Sequence, residues 1–318
     1  MTTDNNKLLH GIIPPMITPL NEDGTLNATG LERLIEHLLG GGVHGLFILG
    51  TTGEGPGLSY EVRRQLIMAT VEQVKNRVPV LVGITDTSFF DSVDLADFAA
   101  HVGATAVVSS TPYYFHAAQS ELLEYMEQLN NAVSLPLVLY NIPQLTKVHF
   151  QPETVKHILQ WDNVIGIKDS SGDSEYFQTI CDVVKERPAW SLLMGSEDQL
   201  STGIQMGADG GVCGGANLFP QLFVELYNAV LADDTSKAAQ LREEITCFHQ
   251  LLYSVGQHDS SPMKGIKGTL ACLGICEDHM ALPYSRFNDA ERKILCDRLE
   301  QFFQRESASA YRMEIVNF

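Results

Sequence analysis

Lys168 closes the run Val164-Ile165-Gly166-Ile167-Lys168, and of ten lysines it is the only one that ends an apolar strand pattern. Strand alternation puts Val164, Gly166 and Lys168 on one face and Ile165 and Ile167 on the other. The isoleucines suit a layer beneath outer helices, which aims Lys168 the opposite way. Taking an ammonium out of water favours its neutral amine, and a neutral amine attacks carbonyl carbon. The chemistry on offer is an imine. A lysine snorkelling to water, or paired with Asp169, fits the same pattern, so this residue alone leaves both readings open. Tyr140 ends the preceding run, Leu137-Val138-Leu139-Tyr140, and alternation gives it the face of Val138. A phenol beside a carbonyl–lysine adduct can carry the proton that aldol addition and cleavage require. A tyrosine that plugs the fold with its hydroxyl satisfied is the plainer alternative.

Gly50-Thr51-Thr52-Gly53-Glu54 is a glycine-bounded loop whose backbone N–H groups and hydroxyls could cradle a carboxylate. Most such loops are ordinary strand-to-helix turns. Thr111-Pro112-Tyr113-Tyr114 is aromatic, suited to packing on a neighbouring subunit as well as to a site. The ten histidines show neither HExxH nor a convergent His/Asp set. No metal and no other cofactor is expected, and a metal-dependent aldolase is disfavoured.

These residues need a scaffold that brings strand ends together. Short apolar runs recur at 11–18, 45–50, 79–84, 106–111, 137–141, 164–168, 191–195 and 211–214. Continuous apolar character marks strands buried on both faces, as in parallel sheets. Helical stripes lie between them: Leu31, Leu34, Ile35, Leu38 and Leu39 before three glycines, and Val62, Leu66, Ile67 and Val74 after Ser59. Others follow before Gly103, after Ser120, after Pro152 and through Tyr176–Val184. Eight strand–helix units at a period of roughly 30 residues predict an α/β fold, a (β/α)8 TIM barrel, over 1–230. A doubly wound sheet would show a glycine-rich phosphate turn after its first strand, and here that strand runs into Thr18-Pro19-Leu20. In such a barrel the active site lies at the C-terminal strand ends, where every residue singled out above falls. Past about residue 230 only helical stripes remain, through Leu241–Leu252, Met263–Leu270 and Ile294–Phe302, the last opened by an Asn288/Glu291 capping box. Residues 231–318 are read as a small helical C-terminal domain and tail.

Of the residues, 44% are hydrophobic and 19% charged, with mean hydropathy near zero, which fits a large buried core. The net charge of −18 leaves no basic face for nucleic acid or for a membrane surface. Six scattered cysteines without a CxxC pair make a disulfide framework improbable and suit a reducing compartment; Cys272 and Cys276 are spaced to share a buried helix face. The N-terminal stretch MTTDNNKLLHG shows no signal-peptide pattern, and no run approaches the ~20 apolar residues of a membrane helix. The expected location is the cytoplasm.

Four motifs in order, Gly50-Thr51-Thr52-Gly53-Glu54, Thr111-Pro112-Tyr113-Tyr114, Tyr140-Asn141-Ile142-Pro143 and Gly166-Ile167-Lys168-Asp169, resemble those of the dihydrodipicolinate synthase / N-acetylneuraminate lyase family. The resemblance runs from about Gly11 to Pro220, and Pro262-Met263-Lys264 and Lys267 look like the family's C-terminal helices. It implies that Lys168 forms a Schiff base with pyruvate or another 2-oxo acid and that Tyr140 transfers protons. It also implies that Thr51 and Thr52, between Gly50 and Gly53, hold the pyruvate carboxylate. Tyr114 would reach a neighbouring subunit's site and join a hydroxyl relay with Thr51 and Tyr140, in a homotetramer built as a dimer of dimers. Synthases that use aspartate semialdehyde carry an arginine where this chain has Leu145, and losing that bidentate fork weakens the match to them. The run through Ile142 to Leu145 is more similar to the sialic acid lyase branch. There an acidic pair after the seventh strand holds sugar hydroxyls; here Glu197-Asp198 stands in reversed order, with Gly214 where a serine is expected. A charged helix start explains Glu197-Asp198 equally well. The resemblance therefore points to a 2-oxo-3-deoxy sugar-acid or N-acetylneuraminate-like aldolase taking pyruvate and an aldehyde or sugar acid. A dihydrodipicolinate synthase, a 2-oxo sugar-acid dehydratase and a catalytically silent sugar-acid binder are the alternatives.

Overall fold

Residues 7–315 are described by the structure, a computed structural model. Its framework is eight short parallel strands: β1 (Gly11–Ile12), β2 (Leu46–Ile48), β3 (Val80–Gly83), β4 (Ala106–Ser110), β5 (Leu137–Asn141), β6 (Val164–Asp169), β7 (Ser191–Met194) and β8 (Gly210–Gly211). They pair in the order β1-β8-β7-β6-β5-β4-β3-β2. The ring closes through a bridge between Pro15 and Phe47, with Phe47 N donating to Pro14 O at 3.0 Å and Met16 N to Phe47 O at 2.8 Å. The chain is a (β/α)8 barrel, as expected.

Connecting the strands are α1 (Ala28–Gly40), α2 (Tyr60–Val74), α3 (Phe89–Val102), α4 (Gln119–Ala132), α5 (Pro143–Thr146), α6 (Pro152–Ile158), α7 (Ser174–Val184) and α8 (Leu200–Met206). Beyond β8 come α9 (Pro220–Leu231), α10 (Thr235–Phe248), a π turn (His249–Tyr253), α11 (Ser261–Cys272) and α12 (Asp289–Phe303). Caps anticipated from sequence are in place: the Ser59 side chain accepts from Val62 N, and Asn288 and Glu291 form a reciprocal box. Ser120 is not a cap, because α4 already begins at Gln119 and the Glu121 carboxylate takes the Ala118 N–H.

Strand alternation sorts side chains into two layers. Ile13, Phe47, Leu81, Val108, Val138, Tyr140 and Leu193 fill the barrel, while Ile48, Val82, Val107, Leu139, Ile167 and Leu192 face the helices. One detail departs from the simple alternation. Val164 packs in the outer layer and Ile165 against the inner one, since the β5–β6 register slips between Leu137 and Val138. From Gly166 onward the alternation resumes, so Lys168 keeps its inward face. β1 and β8 are shorter than their apolar runs. Pro14 and Pro15 have no N–H for a ladder, and a Cβ at Gly210 would lie 2.0 Å from the carbonyl oxygen of Gly11.

The C-terminal helices pack on the barrel's outer layer through Phe219, Phe248 and Phe302, whose rings lie 5.0 to 6.2 Å apart. Ile294, expected in the buried stripe of α12, is exposed; Leu295, Cys296, Leu299 and Phe302 carry that face. The cysteine expectation needs a correction. Cys296 meets Cys272 where α12 crosses α11, and the two are joined in a disulfide, while Cys181, Cys213, Cys247 and Cys276 are free. No described helix is long and apolar enough to cross a membrane. Glu306–Tyr311 of the final stretch forms a 3-10 turn; its last residues, 316–318, and residues 1–6 of the N-terminal stretch lie outside the described residues.

Two half-buried histidines tie β1 and α1 into the fold. His44 Nδ1 accepts from Ile12 N at 3.1 Å, and His37 Nε2 lies 3.1 Å from Leu218 O. Burial holds both imidazoles below their ordinary range, with a contribution from His10 at His44. Below the unfolded value of about 6.5 the unfolded chain therefore binds more protons than the folded one, and stability falls as pH drops through that window. Urea midpoints should decrease between about pH 7.5 and about pH 5.5, and His37→Gln should flatten that dependence. An unchanged slope in the variant would show that His37 is not a source of it.

Candidate active site

β5 and β6 set the centre of the site. Their register pairs Tyr140 with Lys168 and Asn141 with Asp169. The Asn141 Nδ2–H donates to Asp169 Oδ1 at 2.7 Å, while the Ser171 hydroxyl and N–H also donate to that carboxylate. Burial pushes the Asp169 carboxyl up, and these donors act against it. The buried cross-strand bond thus pins the two positions that follow Tyr140 and Lys168 in sequence.

Lys168 points inward and is 6% exposed. Its Nζ lies 3.9 Å from the centroid of the Tyr140 ring and 5.4 Å from that of Phe47. Gly195, at the end of β7, leaves room for the stem: a Cβ there would come within 3.0 Å of Lys168 Cε and 2.0 Å of Ser170 Oγ. The Tyr140 hydroxyl lies 3.4 Å from Thr51 Oγ1. Amine, phenol and threonine hydroxyl, drawn from three strand ends, converge as the sequence suggested.

Leu49 and Glu54 both adopt positive φ, 59° and 57°, on either side of Gly50–Gly53. Non-glycine residues there cost roughly 1–3 kcal/mol each and persist where the surroundings hold them. At Gly53 a Cβ would meet Met16 O at 2.7 Å, and its carbonyl accepts from the Thr18 hydroxyl at 2.7 Å. Glu54 is buried: Oε1 lies 2.5 Å from Lys267 Nζ, and Oε2 accepts from Ala281 N at 2.7 Å. The loop that carries Thr51 and Thr52 is therefore anchored on residues from far along the chain.

A cleft opens beside Tyr140, walled by Gly50, Thr51, Pro56, Thr85, Tyr113, Tyr140, Ile142 and Leu145. Lys168 is not in its wall; it stands against the Tyr140 ring instead. Leu145 is 56% exposed, and the nearby cation Lys147 donates its Nζ to Gln144 O. Past β8, a Cβ at Gly214 would lie 3.4 Å from Ile266 Cδ1, 3.8 Å from Glu197 Oε2 and 4.0 Å from Thr52 Oγ1, so these three side chains border one small gap. Glu197 is turned inward while Asp198 is exposed. Tyr114 is not brought to this cluster: it is 74% exposed, with its ring edge-on to Phe115.

Among the described residues no three His, Cys, Asp or Glu side chains converge as a metal-binding group. Residues 8–302 match the Dihydrodipicolinate synthetase family. The chain belongs to this family. Among curated relatives, the Escherichia coli (strain K12) protein YjhH, described as a probable 2-dehydro-3-deoxy-D-pentonate aldolase, is 34% identical over 87% of this chain and 91% of its own. Among solved structures of the family, dihydrodipicolinate synthase from Bacteroides thetaiotaomicron superimposes with a TM-score of 0.91 at 48% identity, over 93% of this chain and 99% of its own. YagE of E. coli K12, solved in complex with pyruvate, gives 0.87 at 32% identity, over 93% and 99%.

Sequence reasoning assigned no role to Phe47, Asn141, Thr85 or Lys267, although Asn141 and Lys267 stand in the motifs quoted above, and it did not single out His249. Phe47 reads as one apolar residue among several in its strand, and His249 and Lys267 sit in helical stripes 35 and 53 residues beyond the last motif at Gly214. Lys267 leaves a trace in residue type, since it and Lys264 are the charged residues of a largely apolar helix.

Proposed function

We propose that the protein is a class I pyruvate-dependent aldolase that cleaves or forms a 2-oxo-3-deoxy sugar acid through an imine on Lys168. The carrying observation is a buried lysine at a barrel strand end, 3.9 Å from a tyrosine ring whose hydroxyl approaches Thr51. In the cleavage direction the amine adds to C2 of the 2-oxo acid, the Tyr140 phenol gives its proton to the departing hydroxyl, and water leaves, giving the iminium and the Tyr140 phenolate. The C4 hydroxyl gives its proton to the Tyr140 phenolate, the C3–C4 bond breaks, and its electron pair enters the iminium to form an enamine. The aldehyde departs. Tyr140 returns the proton to C3, and water then adds to the iminium and releases pyruvate and the free amine, the proton set free restoring the Tyr140 phenol. Thr51 and Thr52, with Gly50 and Gly53 giving the backbone its turn, hold the carboxylate. Ile142 and Leu145 line the path of the second substrate, and Glu197 and Gly214 border its hydroxylated end.

Leu145 supports a sugar-acid substrate over aspartate semialdehyde, because an apolar side chain offers no fork to a second carboxylate. The 48% identity to a structure described as dihydrodipicolinate synthase favours the synthase as the second reading. Tyr114 and Phe115, both exposed, suit a protein–protein contact, and we read the assembly as a homotetramer in which Tyr114 completes a neighbour's relay. The cytoplasm remains the location proposed.

Borohydride added with pyruvate should leave a permanent adduct on the peptide containing Lys168, read by mass spectrometry. Cleavage of 2-oxo-3-deoxygluconate should exceed cleavage of N-acetylneuraminate and condensation of pyruvate with aspartate semialdehyde; the reverse ranking selects the synthase. Tyr140→Phe should keep the trapped adduct yet lower kcat by roughly 10²–10⁴-fold. Undiminished turnover in that variant would remove Tyr140 from proton transfer.

A further inference from the structure

Glu197 leaves β7 on a short 3-10 turn (Glu197–Gln199) and would ordinarily carry its charge to solvent. Instead three groups hold it inward. Its Oε2 accepts from Gly215 N at 2.7 Å, its Oε1 lies 2.7 Å from His249 Nε2, and the Tyr253 hydroxyl faces the same carboxylate. His249 and Tyr253 are the two ends of the π turn after α10, their rings stacked at 4.7 Å and 17°. A π turn inserts an extra residue into a helix and recurs at functional positions. Here it aligns two rings, one turn apart, over a single acidic side chain.

We propose that His249 is a positioning residue for substrate recognition: it fixes Glu197 toward the gap over Gly214, making that carboxylate the acceptor for hydroxyl groups on the substrate's distal chain. The inference deepens the aldolase reading and rests on it for the identity of the bound acid. Burial pushes the Glu197 carboxyl up, but the hydrogen bond and charge of His249, with the Gly215 N–H, outweigh burial and the carboxyl lies below its ordinary range. An ionised carboxylate accepts hydrogen bonds and donates none. His249, Gly215 and Tyr253 face three of the roughly four acceptor directions of the carboxylate, which leaves capacity for a substrate hydroxyl, and Oε2 borders the space over Gly214. Such a group selects a polyhydroxylated chain and repels a second carboxylate, in agreement with the apolar Leu145 in the cleft beside Tyr140. His249 does not border that gap in its own right; it acts through Glu197.

The test pairs His249→Phe, which keeps a ring beside Tyr253, with His249→Gln, which keeps a donor. Calorimetry with D-gluconate, a hydroxylated acid that forms no imine, should give a Kd raised about 10-fold or more in His249→Phe and largely restored in His249→Gln. In kinetics, KM for 2-oxo-3-deoxygluconate should rise in His249→Phe with little change in kcat. Pyruvate trapping by borohydride, and condensation of pyruvate with propanal, should match the parent protein. A parent that does not bind gluconate, variants that bind it equally well, or equal losses with propanal and the sugar acid would overturn the role of His249. A parent that binds gluconate but traps no pyruvate would overturn the imine reading alone.

Discussion

Lys168→Ala is expected to lower kcat/KM by at least about 10⁴-fold and to abolish the borohydride-trapped adduct while the barrel stays folded. Without the amine there is no imine and no electron sink for the C3–C4 pair, so no other side chain in the cluster can substitute for it. Loss of a covalent nucleophile commonly removes several tenfold factors, each ~1.4 kcal/mol of transition-state stabilisation. The fold tolerates the change because Lys168 makes ring contacts and, among the described residues, no ion pair, and Gly195 already leaves space beside its stem. Circular dichroism should superimpose on that of the parent. Carboxylate binding by Thr51 and Thr52 survives, so gluconate still binds. A variant that kept full turnover would show that the reaction does not pass through an imine on Lys168, and the proposal would fail.

That Lys168 could be singled out from sequence follows from the way a barrel is built. Parallel strands buried on both faces read as apolar runs, and a charged residue ending one of them has to sit at the mouth. Tyr140, Thr51 and Lys168 were legible for this reason. β3 to β7 were placed nearly to the residue, whereas β1 and β8 came out too long, because apolar patterning does not register missing prolyl donors or glycine backbones in contact. The slip at Leu137/Val138 was invisible as well: alternation assumes an unbroken ladder, and a bulge changes the facing of Val164 and Ile165 without leaving a mark in residue type.

The supporting groups were hidden by distance along the chain. Glu197 could be noticed beside β7, but its partner His249 comes from a π turn, an irregularity that a 3.6-residue stripe cannot express. Cys272 and Cys276 were matched on spacing within one helix, and the actual partner of Cys272 is Cys296 on the next. Tyr114 is the opposite case. Its motif was recognisable, but the side chain stands exposed, and a role for it rests on the neighbouring subunit proposed above.

Lys267→Met should destabilise the protein by about 3–5 kcal/mol, the usual cost of breaking a fully buried ion pair from one side. Lys267 Nζ contacts Glu54 Oε1 at 2.5 Å and donates to His279 O at 2.6 Å, and both charged side chains are almost wholly inaccessible. With the cation gone, Glu54 retains Ala281 N as a donor but keeps a buried charge with no counterion. The residue also holds a positive φ at the end of the Gly50–Glu54 loop, so releasing it relaxes the strained turn that presents Thr51 and Thr52. Stability and substrate binding should therefore fall together: a lower urea midpoint, and a higher KM for pyruvate in the condensation direction. Adding Glu54→Gln removes the stranded charge. The double variant should accordingly lose clearly less than the sum of the two single losses, which is the signature of a coupled pair. If Lys267→Met unfolded within about 1 kcal/mol of the parent, or if the two substitutions simply added, the loop would owe its conformation to Thr18 and the glycines and not to the C-terminal helices.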